Sequence, residues 1–449
     1  MTPGIVLLLL IWAAIVATAF RRPWIGVVGY AGFAVLCPTW NWRWGLPDLD
    51  YQKFLAGATL IGWLLAGLRR QPLERNGTRS LIAIGAYSIL TFASLMQSIN
   101  PEKSSVFWDI SWKIVLMAMV ATFLLDTPRK VATLVWVLVL CQGWNAFNIN
   151  QLYLIRGGIN TNYFRWNYLD NNTYSISTIP IMALSFALLV NSTKKWQVAL
   201  AGFILVMQMH QLMFLNSRGT MLGGILLGVL GVLYMTKSRR AISIVFAGTL
   251  AAVVLAGPSV VKEFMSTFES SENRDSSAES RFYIWKAGAK IMAAYPALGV
   301  GPWAGEVMVP QYYDGPLKPG TKRKALHNLF FEVGTGSGIP AVLFYLGFFW
   351  LPWFQHWRLR RQVSREFPDW MNVANLATLC GIPGYWLSSM FSSGALIEAP
   401  YLLVTISIGS LAVYSSRASA SVAVMRPAAA METSSVPLIP VGAKSSEVN

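Results

Sequence analysis

The stretch from Tyr174 to Arg240, YSISTIPIMALSFALLVNSTKKWQVALAGFILVMQMHQLMFLNSRGTMLGGILLGVLGVLYMTKSRR, decides the fold class. It contains three apolar runs, at 174–190, 196–215 and 219–236, and only short polar connectors separate them. Each run is long enough to cross about 30 Å of hydrocarbon as a helix. A bilayer core offers no partners for backbone polar groups, so an isolated run of this kind must be helical. The stretch therefore predicts consecutive transmembrane helices.

The same pattern extends over most of the 449 residues. Hydrophobic residues make up 54% of the chain and charged residues only 12%, which is more apolar surface than a soluble domain of this length could bury. We therefore expect an all-α polytopic membrane protein with about 12–13 transmembrane helices. The predicted spans are 4–20, 24–38, 53–68, 80–97, 106–125, 131–149, 174–190, 196–215, 219–236, 241–257, 328–352, 372–391 and 395–414.

The positive charge of the chain, +16, falls mainly in short connectors between these runs. Short basic connectors stay on the cytoplasmic side of a membrane, so the charge acts as an orientation signal and predicts no nucleic acid partner. The basic connectors are Arg21–Arg22, 69–79, Arg129–Lys130, Lys194–Lys195, Lys237–Arg240 and Arg358–Arg365. They occupy every second connector, and the alternate ones are then expected to face outward: 39–52, 98–105, 151–173, 216–219, 258–327 and the turn near Ser392.

This alternation divides the chain into four parts. Residues 1–257 form an N-terminal transmembrane bundle, 258–327 a large outward loop, and 328–414 the C-terminal transmembrane helices. Residues 415–449 are rich in Ala, Ser, Val and Pro without periodicity, so we expect a disordered cytoplasmic tail. The three cysteines are widely spaced and form no cluster with histidine, so neither a metal site nor a disulfide is predicted.

The outward face collects the residues that could carry chemistry. Arg218 lies where one span ends and the next begins, a position at which an arginine either snorkels to the interface or binds an anion. His327 lies on the same side, between a cationic run and an apolar run. The other two histidines are poorer candidates, because His210 falls within a span and His356 lies beside a cytoplasmic connector. An interfacial histidine alone is either structural or a titrating group.

The outward loop contains a predicted helix from about Ala278 to Ala294, which begins after Ser and Glu capping residues and ends before Pro296. One stripe of this helix carries Arg281, Trp285, Gly288 and Met292. That pattern is typical of a helix that lies on the membrane surface with an arginine at its rim, and equally of a plain surface helix.

Two further features of the loop have both a functional and a structural interpretation. The turn around Gly301 either brings backbone to a ligand or simply ends the helix. The cations Lys322, Arg323 and Lys324 form either an anion site or a solvated turn. The aromatic residues Trp40, Trp42 and Trp44 of another outward connector fit either an interfacial aromatic belt or a sugar platform.

Together, Arg218, Arg281 and His327 indicate a reaction class. A neutral imidazole can accept a proton from a sugar hydroxyl, while guanidinium groups hold the oxygens of a diphosphate and stabilise the charge on the leaving group. Glycosyl transfer from a lipid-linked diphosphate needs those two elements. The sequence contains no glycine-rich nucleotide-binding motif, which agrees with a reaction that uses no nucleotide.

Several segments resemble the O-antigen ligase superfamily, which includes O-antigen polymerases and bacterial O-linked oligosaccharyltransferases. The resemblance covers about residues 160–400 and depends on the order and spacing of the segments. They are NYLDNNTYSISTIPIMAL (167–184), NSRGTMLGG (216–224), SRFYIWKAGAKIMAAYPALGVGPW (280–303) and HNLFFEVGTGSGIPAVLFY (327–345). RRPWIGVVGYAGFAVLCPTWNWRWGL (21–46) is also similar to the opening of O-glycosylation ligases associated with exosortase systems.

The resemblance implies a GT-C-like helical fold in the bacterial inner membrane, with an active site that faces the periplasm in the outward loop. It implies transfer of a glycan from an undecaprenyl-diphosphate carrier to an acceptor hydroxyl, without a metal or another cofactor. The acceptor would be lipid A core, a protein Ser or Thr, or another glycan, in which case the enzyme is a polymerase. Membrane lipids surround the site.

By motif position, the resemblance implies a role for individual residues. Arg218 and Arg281 would bind the diphosphate, and His327 would activate the acceptor hydroxyl. Asn328 would help to place the histidine and Glu332 would orient its ring, although Glu332 is not on the same helical face. The predicted substrate-binding residues are Asn172, Trp285, Gly301, Lys322, Arg323, Lys324, Asn328 and Glu332.

Two hypotheses from other classes are a polysaccharide transporter and a non-catalytic assembly partner. Transporters tend to keep ionisable groups near the bilayer midplane and to contain repeated halves. In this chain the candidate groups gather on one face, and the sequence shows no internal repeat. A variant at His327 would separate an enzyme from an assembly partner, because only the enzyme would lose its reaction.

Overall fold

The structure is a computed structural model, and it describes residues 2–161, 163–167, 169–235, 242–244, 246–248, 250, 276–317, 320–362 and 367–432. The first helices are α1 (Pro3–Ala19), α2 (Pro23–Leu36), α3 (Pro38–Asn41), α4 (Tyr51–Leu65), α5 (Arg75–Met96), α6 (Pro101–Leu124) and α7 (Pro128–Arg156). A short antiparallel hairpin follows, β1 (Arg165–Trp166) and β2 (Leu169–Asp170). The later helices are α8 (Asn171–Asn191), α9 (Lys195–Phe214), α10 (Arg218–Tyr234), α11 (Ser276–Ala294), α12 (Gly305–Tyr312), α13 (Leu329–Gln362), α14 (Asp369–Ser389) and α15 (Glu398–Glu432).

The starts of these helices follow from local sequence. Prolines occupy the first helical position of α1, α2, α6 and α7, where the missing N–H would be unpaired in any case. Side chains cap three helices by accepting a backbone N–H: Asn100 caps α6, Thr127 caps α7 and Asp170 caps α8.

The architecture confirms an all-α polytopic membrane protein. Within the described residues, eight helices are long and apolar enough to cross a membrane. Pro3–Ala19 and Arg218–Tyr234 are also apolar, but each has 17 residues and measures only about 26 Å at the α-helical rise. The predicted spans at 53–68 and 372–391 correspond to α4 and α14. The predicted span at 241–257 falls mostly outside the described residues. The described residues therefore contain fewer long apolar helices than the 12–13 spans that the sequence predicts.

Helix α14 lies at the centre of the bundle, where it packs against both α8 and α10, and α13 packs along α5. The close approach of α10 and α14 depends on glycine. A Cβ atom on Gly223 would lie 2.6 Å from the carbonyl oxygen of Gly384, so only glycine permits this backbone contact. Helix α13 is interrupted at Gly338, whose φ of 87° directs the first two turns of the helix away from the long span that follows.

The connectors divide between two ends of the bundle. At one end, a cavity of about 440 Å³ is lined by cations from three basic connectors, including Arg21, Arg70 and Lys130. At the other end, the connector after α2 meets α7, where Asn41 Nδ2 donates to Asn145 Oδ1 at 3.0 Å. Connectors that the charge pattern assigns to one side therefore lie together. The compartment that each end faces stays a prediction.

Helix α11 begins two residues before its predicted start and ends at the predicted residue, Ala294. Protein covers its apolar stripe: Gly288 packs against Phe331, and Met292 packs against Gly334, both in the first turns of α13. The stripe that was expected to face the membrane surface thus docks this helix onto the span after His327. The rest of the predicted loop before Ser276 lies outside the described residues.

The last helix, α15, continues to Glu432, beyond residue 415, where the sequence predicts that the disordered tail begins. The segment after 417 is rich in alanine, and extending a formed helix needs no new nucleation. Residues 433–449 lie outside the described part of the chain.

Candidate functional site

His327 occupies a strained position just before α13. Its φ is 47°, in the left-handed region that few non-glycine residues adopt. The next residue, Asn328, fixes this corner: its Oδ1 accepts the backbone N–H groups of Phe330 at 2.9 Å and Phe331 at 3.2 Å, while its Nδ2 donates to the Met390 carbonyl at 3.0 Å. Asn328 is buried. It therefore both starts α13 and ties His327 to the turn after α14.

The surroundings of His327 keep its imidazole neutral. The residue is accessible to solvent, but enough protein surrounds it that partial burial is the largest cause of a lowered pKa. The positive charge of Arg281 lowers the pKa further, the negative charge of Asp170 opposes this effect, and Lys324 adds a smaller lowering. Arg281, Asp170 and Lys324 are therefore all close enough to His327 to act on its charge. His327 makes no side-chain hydrogen bond within the described part of the chain.

The other two histidines have structural partners. His210 hydrogen bonds through Nδ1 to the Asn150 side chain within the bundle. His356 is fully buried, with Nε2 3.1 Å from the Ser407 carbonyl, to which it donates, and Nδ1 3.1 Å from Asn375 Nδ2. Both rings therefore hydrogen bond within the protein, which leaves His327 as the histidine that can exchange a proton with a ligand.

The turn at Met390 and Phe391 brings the three predicted catalytic segments together. Asn328, beside His327, bonds to Met390. Trp285, one helical turn after Arg281, places its ring 6.0 Å from the ring of Phe391. Gly219, directly after Arg218, packs so closely on Phe391 that a Cβ atom would lie 2.5 Å from the Phe391 Cβ. The backbones that carry Arg218, Arg281 and His327 thus share one neighbour.

Asp170 is a candidate site residue that the sequence analysis missed. It caps α8 through Oδ1, which accepts the Thr173 N–H at 2.8 Å, and its charge acts on His327. The next residue, Asn171, donates to the Leu215 carbonyl at 2.9 Å, which ties the start of α8 to the segment that leads into Arg218. Asn172 contacts Asn171 and is half-buried in the same turn. The sequence signal that could have identified it is the position of Asp170 directly before Asn171 and Asn172, within the segment 167–184 that resembles the superfamily.

Two predicted site residues belong to the scaffold. Glu332 is buried, and its Oε1 accepts the indole N–H of Trp303 at 2.8 Å, so this oxygen is committed away from His327. Gly301 is buried with a φ of 110°, and its N–H donates to the Gly336 carbonyl at 3.0 Å. A Cβ on Gly301 would collide with Ser98. Glycine is required here for packing between connectors, and within the described residues no hydrogen bond joins Gly301 to His327.

The cationic run before His327 is partly neutralised by Glu306. The Arg323 guanidinium lies 3.8 Å from Glu306 Oε1, and Lys103 pairs with the same carboxylate. Lys324 lies with Nζ 4.7 Å from the centre of the Tyr313 ring and is the member of the run that acts on His327. Lys322 is exposed. The run is therefore part structural turn and part positive field beside the histidine.

Comparisons with known proteins found two family models that match this chain. The model of the family described as O-antigen ligase matches residues 203–346, a range that contains Arg218, Arg281 and His327. The model of a family of unknown function matches residues 4–185, which include Asp170. No curated protein matches the chain significantly. Residues 203–346 thus match the O-antigen ligase family, and the superfamily resemblance predicted from the sequence is confirmed.

Proposed function

We propose that this protein transfers a glycan from an undecaprenyl-diphosphate carrier to an acceptor hydroxyl at the periplasmic face of the bacterial inner membrane. The observation that supports this most directly is the convergence at Phe391. Segments carrying Arg218 and Arg281 both pack on it, and His327 lies close enough to Arg281 for its pKa to be lowered. Two guanidinium groups and one neutral imidazole are the groups that this transfer needs.

In the proposed reaction, Arg218 and Arg281 hold the oxygens of the diphosphate. The neutral imidazole of His327 accepts the proton of the acceptor hydroxyl while its oxygen bonds to the anomeric carbon. The bond from that carbon to the diphosphate breaks at the same time, and the arginines stabilise the negative charge on the departing lipid diphosphate. A single displacement of this kind inverts the anomeric centre. The proton on His327 then passes to solvent or to the leaving phosphate.

Neighbouring residues have supporting roles in this proposal. Asn328 holds His327 at the corner before α13, and Asp170 limits how far the cations lower the histidine pKa. The buried indole Nε1 of Trp285 has no acceptor among the described residues, so it is available to a phosphate oxygen. Asn172 lies in the turn beside Asp170 as a further polar contact. The exposed Lys322 and Arg323 would attract the lipid diphosphate through their field.

The test uses the full-length protein in lipid nanodiscs with a lipid-linked glycan donor. Lipid A core, a Ser/Thr-rich protein and free glycan are supplied in separate reactions, and the acceptor that gains mass is identified by mass spectrometry. His327→Ala should lower the transfer rate by about 10²–10⁴-fold while donor binding persists, because only the general base is lost. Arg218→Ala and Arg281→Ala should weaken both binding and transfer. Arg129→Ala, an exposed arginine at the other end of the bundle, is the matched control.

The outcomes separate the functional classes. Mass gained by lipid A core or protein supports a ligase, and mass gained only by glycan supports a polymerase. Unchanged transfer by His327→Ala would contradict the proposed base. A transporter would instead move intact donor across sealed vesicles and leave every acceptor unmodified, and an assembly partner would do neither.

A further inference from the structure

A second cavity, beside the candidate site, remains outside the proposed mechanism. It measures about 780 Å³ and lies between helix α3, the C-terminal part of α7 and the β1–β2 hairpin. This volume falls within the range of about 300–1,000 Å³ that is typical of small-molecule sites. Because the hairpin forms one of its walls, the cavity lies at the same end of the bundle as Asp170 and His327. We call it the tryptophan groove.

Aromatic rings form much of the wall of the tryptophan groove. Trp42 and Trp144 lie nearly parallel, with an interplanar angle of 16° and ring centres 6.1 Å apart. Trp40 and Trp166 form a second pair, with centres 6.5 Å apart. Tyr163 is 83% exposed at the rim. The C–H face of a pyranose ring packs well on the negative face of such rings, so the wall suits sugar residues.

The charge of the tryptophan groove has one sign. Arg43, Arg156 and Arg165 line it, and none of the lining residues that the structure describes is Asp or Glu. Arg43 donates one N–H to the Trp40 carbonyl at 3.0 Å, and Arg165 donates one to the Phe164 carbonyl at 2.7 Å. Each guanidinium has five N–H groups, so most of these donors remain for a ligand. A planar fork of this kind matches a carboxylate.

Asparagine side chains hold the walls of the groove in place. Asn145 donates to the Val35 carbonyl at 2.6 Å and accepts from Asn41, and Asn148 also donates to Asn41, at 3.4 Å. These bonds fix α3 against α7 before any ligand binds. A preformed wall lowers the entropic cost of binding, which favours a ligand-binding interpretation over a loose interfacial patch.

We propose that the tryptophan groove binds an acidic saccharide segment of the glycan, with sugar faces on the tryptophans and sugar carboxylates on Arg156 and Arg165. The inference rests on the proposed glycan transfer and names its substrate class: a glycan that contains uronic acid or a similar acidic sugar. The hairpin connects the two sites, because Arg165 in the groove is the register partner of Asp170, which acts on His327. Paired strands lie about 4.8 Å apart, so the groove and the start of α8 that carries Asp170 are neighbours across the hairpin.

The test measures saccharide binding to the full-length protein in zwitterionic nanodiscs by saturation-transfer NMR and calorimetry. The probes are an oligosaccharide that contains glucuronic acid and its carboxyl-reduced, neutral form. We expect the acidic probe to bind about tenfold or more tightly than the neutral one. Trp144→Ala and Arg156→Gln should each lower the affinity for the acidic probe by about tenfold. Trp144→Phe retains an aromatic face and should bind nearly as well as the native chain.

Trp44→Ala is the matched control, because Trp44 is 90% exposed near the groove but does not line it. Equal effects of Trp44→Ala and Trp144→Ala would identify the aromatics as a membrane belt and overturn the proposal. Equal binding of the two probes would also overturn it. In separate nanodiscs that contain phosphatidylglycerol, Arg156→Gln could also lose binding of this lipid while saccharide binding persists. That result would overturn the proposal too, since the arginines would then serve a lipid headgroup.

This assay is independent of transfer, so the two proposals can fail separately. If the groove variants bind normally while His327→Ala still abolishes transfer, the groove proposal is overturned and the catalytic proposal stands. If the acidic probe binds in the groove but no acceptor gains mass, glycan binding stands and glycan transfer fails. Thermal unfolding of each variant verifies that the substitution leaves the fold intact.

Discussion

At the scale of single residues, the charges around His327 predict how the reaction depends on pH. Burial and Arg281 lower the histidine pKa below its ordinary value of 6.5, so the imidazole is neutral at pH 7. A base must be unprotonated, so kcat/KM should fall as pH drops through this lowered pKa. Asp170→Asn removes the charge that raises the pKa and should move the fall to lower pH. Lys324→Gln removes a charge that lowers the pKa and should move it to higher pH.

The measurement is kcat/KM for glycan transfer between about pH 5 and 8. Lys290→Gln is the control, because Lys290 pairs with Asp314 at 2.8 Å on the outer side of α11 and is not among the groups that act on His327. Shifts of the two variants in the same direction, or an unchanged profile in both, would be inconsistent with His327 as the titrating base.

The same residues show what a single sequence can predict at this scale. Arg218, Arg281 and His327 are identifiable because each is a costly side chain at an apolar boundary. The effect of Asp170 on His327 was not predictable, since it depends on the proximity of segments more than 150 residues apart in sequence. Glu332 shows a second limit: it is close in sequence to His327, but its Oε1 accepts a hydrogen bond from Trp303, which only the folded chain reveals.

At the scale of helices, the packing of α10 on α14 yields a stability prediction. A methyl group on Gly223 would meet Ser388 and the Gly384 carbonyl, and backbone cannot move aside cheaply. Gly223→Ala should therefore destabilise the protein by about 1–3 kcal/mol through overpacking. Gly228 lies on the same helix with nothing within 4 Å, so Gly228→Ala should be neutral or stabilising by up to about 1 kcal/mol.

Thermal unfolding in one detergent, followed by circular dichroism, compares the two glycine variants directly. We expect the Tm of Gly228→Ala to equal or exceed that of the native protein, and the Tm of Gly223→Ala to lie well below it. Equal Tm values for all three proteins would mean that α10 and α14 do not approach at Gly223 as described, and the position of Arg218 at the start of α10 would then need revision.

Helix boundaries were more predictable than helix faces. Capping residues and Pro296 located α11 to within two residues. The periodicity of Gly288 and Met292 identified its apolar face, but an apolar stripe is compatible with either lipid or protein as its cover. The protein contact with α13 fixes the helix that carries Arg281 relative to His327, and the proposed reaction depends on that position.

At the scale of the whole molecule, composition and charge alternation were enough to predict an all-α membrane protein and the grouping of its connectors. The number of spans was less predictable. An apolar run of 17 residues is long enough to suggest a span but lies at the lower limit of bilayer thickness, and its neighbours decide whether it crosses. The tryptophan groove shows a similar limit, since its walls come from α3, α7 and the hairpin, which are joined only by folding.

The predicted orientation can be tested on the entire chain by cysteine labelling, in a variant in which Cys37, Cys141 and Cys380 are replaced by alanine. Single cysteines are then introduced at exposed positions. Tyr163→Cys and Lys322→Cys mark the end that contains His327, and Arg70→Cys and Arg129→Cys mark the end with the basic connectors. Short basic connectors stay in the cytoplasm. A membrane-impermeant maleimide added to spheroplasts should therefore label the first pair, and label the second pair only after the membrane is opened. The reverse pattern would place His327 in the cytoplasm, and a transfer reaction at the periplasmic face would no longer be tenable.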